Sequence, residues 1–101
     1  NKKENAVELN HEEILSKVDT LPIYQYNFIG QSKDAIYRGP YAQDWHARFP
    51  SGKPNLTIDT VDLDGITLSA VKGLIAQNKK LTSRLEELEA RLTKLESKSI
   101  I

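Results

Sequence analysis

The clearest pattern along the chain lies in its C-terminal third, where apolar residues step by three and four positions. Val71, Leu74, Leu81, Leu85, Leu88, Leu92 and Leu95 form one line, with Asn78 in register among them. The spacing is a heptad repeat, with Val71, Asn78, Leu85 and Leu92 at a and Leu74, Leu81, Leu88 and Leu95 at d. No proline interrupts residues 66–98, and Gly73 is their one glycine. At about 1.5 Å per residue, Val71 to Leu95 would form a rod of roughly 36 Å. Upstream the period changes and the elements shorten. "HEEILSKV" (11–18) follows Asn10, a good N-cap, and places Glu12 and Glu13 in the positive first turn of a short helix ending before Pro22. "IYQYNFI" (23–29) alternates, with Tyr24, Tyr26 and Phe28 on one face and Ile23, Gln25, Asn27 and Ile29 on the other, which predicts a strand. Turn residues at 30–35 lead to "IYR" (36–38) as the returning strand of a hairpin. Pro40 suits the first turn of a helix over "YAQDWHARF" that ends before Pro50. Within it Tyr41, Trp45 and Phe49 recur every four residues, a stripe expected to pack on a sheet. Residues 50–55 read as a loop, "LTIDT" (56–60) as a short strand and "DLDG" (62–65) as a turn into the long helix.

The predicted architecture is therefore α+β. A small head over residues 1–65, made of short helices and a β-hairpin or small antiparallel sheet, precedes a long coiled-coil helix over residues 66–101. Charges flanking the heptad seam say how copies would meet. Arg84 and Arg91 fall at g, Glu89 and Glu96 at e. In a parallel assembly each g residue faces the next e residue of a neighbour, so Arg84 meets Glu89 and Arg91 meets Glu96. Both pairs are opposite in sign, which favours parallel self-association. Asn78 is the one polar residue at a, and it is read as a lock on register and orientation that costs stability and excludes slipped alignments. Leucine at both a and d leaves two, three and four strands open.

Composition narrows the picture further. A chain of 101 residues suits one domain. With so much of it in one helix the globular core is small, and small cores need another source of stability. The 14 basic and 14 acidic side chains balance, so no basic stripe points to nucleic acid or an anionic membrane as a partner. The absence of cysteine excludes disulfides and thiolate metal sites. No apolar run approaches the roughly 20 residues that span a bilayer. The opening "NKKENAVELN" lacks the apolar core of a signal peptide, and the start without Met reads as a fragment of something longer.

Most site chemistry can be weighed and set aside. "DTVDLDGITLSA" (59–70) resembles a calcium loop, but the EF-hand register would need an acid at Thr60 and a bidentate glutamate at Val71. A turn and helix cap is the better reading. His11 and His46 are the only histidines and have no second imidazole or thiolate at ligand spacing, so no metal is expected. His46 with Asp44 and a serine would make a triad, but no serine stands in a nucleophile-elbow context. No glycine-rich phosphate loop is present, and no cofactor is expected. Gln43 and Asp44 lie off the aromatic stripe.

"LPIYQYNF" (21–28), "YRGPYAQDWHARFP" (37–50) and "TIDTVDLDGITLSAVKGL" (57–74), running into a leucine heptad helix, occur here in that order. In this the chain resembles the C-terminal intramolecular chaperone domain of endosialidases, also called the peptidase S74 domain. Such domains occur on phage tailspikes, tail fibres and neck appendages, with a related one in myelin regulatory factor proteins. The family shows a Gly-Pro-x-Ala-Gln-Asp/Glu-aromatic stretch, here Gly39 to Trp45. It also shows an Ile-Asp-x-x-Asp-x-Asp-Gly-like stretch before a long helix, here Ile58 to Gly65. The likeness covers about Asn1 to Leu95.

The resemblance implies a parallel homotrimer that templates the preceding β-rich fibre domain of the same polypeptide. It then releases itself by single-turnover, serine-dependent self-cleavage at its own N-terminus. The setting so implied is the host cytoplasm during phage assembly, with release from the mature fibre afterwards. The family's cleavage pattern is Ser-Asp-x-Arg-x-Lys-x-Asn, with the serine as nucleophile and the lysine as its base. "NKKEN" resembles the tail of that pattern, with Lys3 at the lysine position and Asn5 at the asparagine. Asn1 stands where the family has arginine, a departure, and the Ser-Asp pair is expected three residues before Asn1. Gln43 and Asp44 are then expected to support the cleavage site or the trimer contact. Two rival readings remain: a permanent trimerisation module that never cleaves, and an auto-processing domain of a membrane-bound transcription factor.

Overall fold

The computed structural model describes residues 2–53 and 56–99. Asn1, two residues of the 50–55 loop and the last two residues of the chain lie outside them. The chain forms α1 (His11–Asp19), β1 (Tyr24–Tyr26), β2 (Tyr37–Gly39), α2 (Ala42–Arg48) and α3 (Thr60–Ser99). The fold class is α+β, drawn out to 75 × 42 × 22 Å by the 40-residue α3.

α1 starts where a capping residue stops the chain from extending. Asn10 has an extended backbone, and its side-chain oxygen accepts from the Glu13 amide at 3.2 Å. Its far end is closed by another element: the Arg48 guanidinium donates to the Thr20 carbonyl at 2.6 Å and to the Thr20 hydroxyl at 3.2 Å. α2 is thereby tied to the C-terminus of α1. The core lies between the three helices. Ile14, Leu21, Trp45, Phe49 and Ala70 are buried there, with Leu15, Val18, Ile58, Leu63 and Ile66 packed around them.

The hairpin pairs Tyr24 with Gly39, Gln25 with Arg38 and Tyr26 with Tyr37, antiparallel. It is shorter than the alternation over 23–29 predicts. Asn27 is the reason: its side-chain amide donates to the carbonyls of Lys33 (3.0 Å) and Ala35 (2.7 Å), so a compact loop replaces further ladder. The expected aromatic face does form, and Tyr24, Tyr26, Phe28, Tyr37 and Tyr41 make a chain of ring contacts between 4.5 and 6.0 Å.

Four other expectations change. The stripe of α2 divides: Tyr41 stacks on Tyr24 of the hairpin, while Trp45 and Phe49 enter the core between helices instead of packing on a sheet. A two-stranded hairpin is too small to cover both large rings. Pro40 lies just outside α2, because Tyr41 is the extended N-cap and its carbonyl accepts the first helical amide, from Trp45. Residues 56–60 do not form a strand, and residues 62–65 are helical. Asp59 accounts for both. Its carboxylate accepts from the Val61 amide at 2.8 Å and its carbonyl from the Leu63 amide at 2.9 Å, so it caps α3 and the helix begins at Thr60.

α1 crosses α3 at Gly73. A methyl group there would lie 2.5 Å from the His11 carbonyl oxygen and 3.0 Å from the Leu15 Cβ, so only glycine allows this approach. Ile66, Ser69, Ala70 and Gly73 share that side of α3, and the a and d positions of the heptad seam lie beside it, with Ala70 at the border.

Two consequences can be measured by urea unfolding followed through Trp45, the chain's single tryptophan. Gly73→Ala should destabilise the fold by about 1–3 kcal/mol, because backbone must move. Gly65→Ala, at a helical position with open space around it, should stabilise by up to about 1 kcal/mol. Equal shifts for the two would mean that the α1–α3 approach is not tight. The cap of α3 should titrate. Lys53 donates to Asp59 at 2.9 Å and lies 3.6 Å from Asp62. The Lys53 hydrogen bond and the Val61 amide hold the Asp59 carboxyl below its ordinary 3.8, and Asp59 raises the Lys53 ammonium above 10.5. The pair's contribution is therefore present between those two ordinary values. It should be lost as pH falls through the depressed Asp59 value or rises through the raised Lys53 value. Wild type should exceed Asp59→Asn in stability inside this window, and the gap should close toward both extremes.

Candidate functional site

Residues 2–10 run exposed along the molecule to the start of α1. Within them Asn5 adopts φ 56°, the left-handed region that Asn tolerates better than most residues. Lys3, the expected base, is exposed in the single chain. The segment is anchored near its end by a contact that no sequence pattern revealed. The Glu8 carboxylate lies 3.2 Å from His11 Nε2, and His11 Nδ1 lies 2.7 Å from the Ser69 hydroxyl. The carboxylate can only accept, so Nε2–H donates to Glu8. With a neutral ring, Nδ1 then accepts from Ser69. Acid, imidazole and hydroxyl stand in the order of a hydrolytic triad. Ser69, however, is 3% exposed on an unbroken helix. A substrate carbonyl has no route to its oxygen, so the arrangement fastens the N-terminal segment to α1 and α3. The contact joins residues 58 positions apart, a separation that hydrophobic spacing does not encode.

Gln43 and Asp44 lie on α2. Gln43 lines an open cavity of about 850 Å³ beside the hairpin, together with Tyr26, Phe28, Tyr41, Leu56 and Ile58. Among the described residues lining that cavity, none comes from the N-terminal segment. Asp44 is half-buried in the first turn of α2, and its carbonyl accepts from Arg48 Nη1 at 3.1 Å. His46 is committed elsewhere: its Nε2–H donates to the Thr57 carbonyl at 2.7 Å and holds the chain that leads into α3. Among the described residues no cluster of three or more His, Cys, Asp or Glu is placed to hold a metal ion. No described helix is long and apolar enough to cross a membrane.

The largest unsatisfied feature is the seam of α3. Its apolar members, from Val71 to Leu95, are between 42% and 63% exposed, and Asn78 is exposed in line with them. Arg84 and Arg91 both rest on Glu87 of their own helix, at 3.3 and 3.4 Å. Exposed pairs of this kind contribute little and exchange readily. What the arrangement offers is a long apolar face with exchangeable charges at its edges, carried by a helix whose neighbouring side is already packed.

Comparison with known proteins bears on the head rather than on α3. Residues 1–52 match the family model Peptidase_S74, described as chaperone of endosialidase. No curated protein matches. No solved structure matches either. The matched half holds α1, the hairpin and α2, the elements that fasten the head to α3, and by that match the chain belongs to the Peptidase_S74 family, the chaperones of endosialidase.

Proposed function

We propose that the chain is a self-removing intramolecular chaperone. Three copies associate in parallel through α3, template the β-rich fibre domain that precedes them in the polypeptide, and are then released by self-cleavage. The observation that carries the reading is the exposed heptad face of a family member whose head packs on Ser69, Ala70 and Gly73, outside the a and d positions of the same helix. Complete burial of a leucine side chain is worth about 1.5–3 kcal/mol, and each seam residue is about half covered in one chain. Closing the seam therefore returns several kcal/mol per chain, enough to offset much of the cost of association. Arg84 and Arg91 exchange Glu87 for Glu89 and Glu96 of a neighbour as the helices come together.

For cleavage, the serine of the family pattern is the nucleophile and the Lys3 amine its base, with Asn5 nearby in sequence. Gln43 and Asp44 support the trimer contact or the site from the hairpin side. A lysine amine works as a base only once burial or a neighbouring cation favours its neutral form. Lys3 is exposed in one chain, so assembly supplies the burial, and cutting waits for a correctly formed trimer. The setting is phage fibre assembly in the host cytoplasm. The domain leaves the mature fibre after the cut.

Intact mass spectrometry of the expressed parent protein tests cleavage. A small fragment with its N-terminus a few residues before Asn1 is expected, and Lys3→Ala should abolish it while the trimer still forms. A parent that stays uncut in wild type would leave a permanent trimerisation module. Asn78→Leu should raise the thermal midpoint while several oligomeric species replace one in sedimentation. A single species at unchanged stability would overturn the register lock.

A further inference from the structure

The heptad register continues into the head, where its flanking pairs change character. Counting back from Arg91–Glu96 and Arg84–Glu89, the g and e positions that meet between parallel copies are Gln77 with Thr82, Ala70 with Ile75 and Leu63 with Leu68. Along the free stalk these pairs are ionic, and at head level they are apolar. The axial positions change the opposite way: above Val71 the next d and a residues are Thr67 and Asp64, both exposed and polar. Apolar surface thus moves from the axis of the bundle to its flanks as α3 enters the head.

The two members of each apolar pair differ in their surroundings. Ala70 is buried and Leu63 packed against the core of their own head. Leu68 and Ile75 are 66% and 48% exposed on α3, and neither is among the described hydrophobic residues packed against the core. The head they adjoin is thinly built, with five buried apolar residues among those described. A core of that size is marginal by itself.

We infer that each head is completed by its neighbour: Leu68 and Ile75 of one copy cover the Leu63–Ala70 edge of the next copy's head. This rests on the parallel self-association proposed above, since the same register that pairs Arg84 with Glu89 places Leu68 against Leu63. The occupant of the patch is a second copy of this chain, because the complementary surface is the apolar g side of the same helix at the same height. Head stability then depends on assembly, so a lone chain carries a weaker head than an assembled one.

The test compares the full chain with Leu68→Glu, the milder Ile75→Ser, and the stalk control Leu85→Glu. Oligomeric mass is read by sedimentation equilibrium and head unfolding by Trp45 fluorescence in urea at several protein concentrations. In wild type the Trp45 midpoint should rise with concentration. Leu68→Glu and Ile75→Ser should keep the oligomeric mass, lower the Trp45 midpoint and weaken its concentration dependence. Leu85→Glu should lose the oligomer itself. Wild-type mass with an unchanged Trp45 midpoint in both head variants would overturn the inference and leave the self-association standing. The same result with fibre assembly lost in the parent would also overturn it, and would assign the patch to the preceding domain. A wild-type chain that sediments as a monomer at every concentration would remove the self-association reading and this inference with it.

Discussion

The close crossing of α1 over α3 is the contact from which the rest of the molecule follows. Gly73 lets the His11 carbonyl and Leu15 come within reach of the α3 backbone, and a side chain of any size would hold the helices apart. At that distance Ile14 and Ala70 enter one core, His11 reaches Ser69, and Lys80 reaches Glu12 at 2.8 Å about two turns further along α3. The other end of α1 is where Arg48 brings in α2, and with α2 come Trp45 and Phe49. The hairpin then hangs from Tyr41 through ring contacts and contributes little to the buried core. Few residues are buried, so the geometry of one helix crossing carries an unusual share of the fold.

The same crossing divides α3 between two tasks. Small residues, Ser69, Ala70 and Gly73, face the head, while the leucine seam lies beside them and stays exposed. A helix packed on one side and bare beside it is stable in its own chain and still has apolar surface to lose. In the proposed assembly this lets association proceed without unpacking the head. Asn78 adds a polar group to a face that is otherwise leucine-rich, where register would be weakly set.

The N-terminal segment is joined to this scaffold at the same place. Through Glu8, His11 and Ser69 the residues that carry Lys3 and Asn5 are fastened to the α1–α3 junction, the part of the head nearest the stalk. A cleavage segment held there would sense whether that junction is properly formed. In the proposed mechanism this is the physical link between assembly and cutting.

The long helix, its heptad register, the cap at Asn10 and the aromatic face of the hairpin were all legible in the sequence, because each rests on spacing or local chemistry within a few residues. The motif stretches also pointed to the family, which the match over residues 1–52 shows. Other features depended on partners far away in the chain. Trp45 and Phe49 chose a helical core over the hairpin because α1 and α3 offered more apolar surface. Residues 56–60 gave up strand pairing because Asp59 caps α3 and His46 holds Thr57. The strand over 23–29 was cut short by Asn27 reaching across its own loop. Glu8 and His11 are three residues apart, but the contact of His11 with Ser69 has no local signature, since it exists only after two helices cross at a glycine. Local spacing determined which faces of this chain are apolar; the tertiary structure decided which of those faces are spent inside one chain and which remain for another.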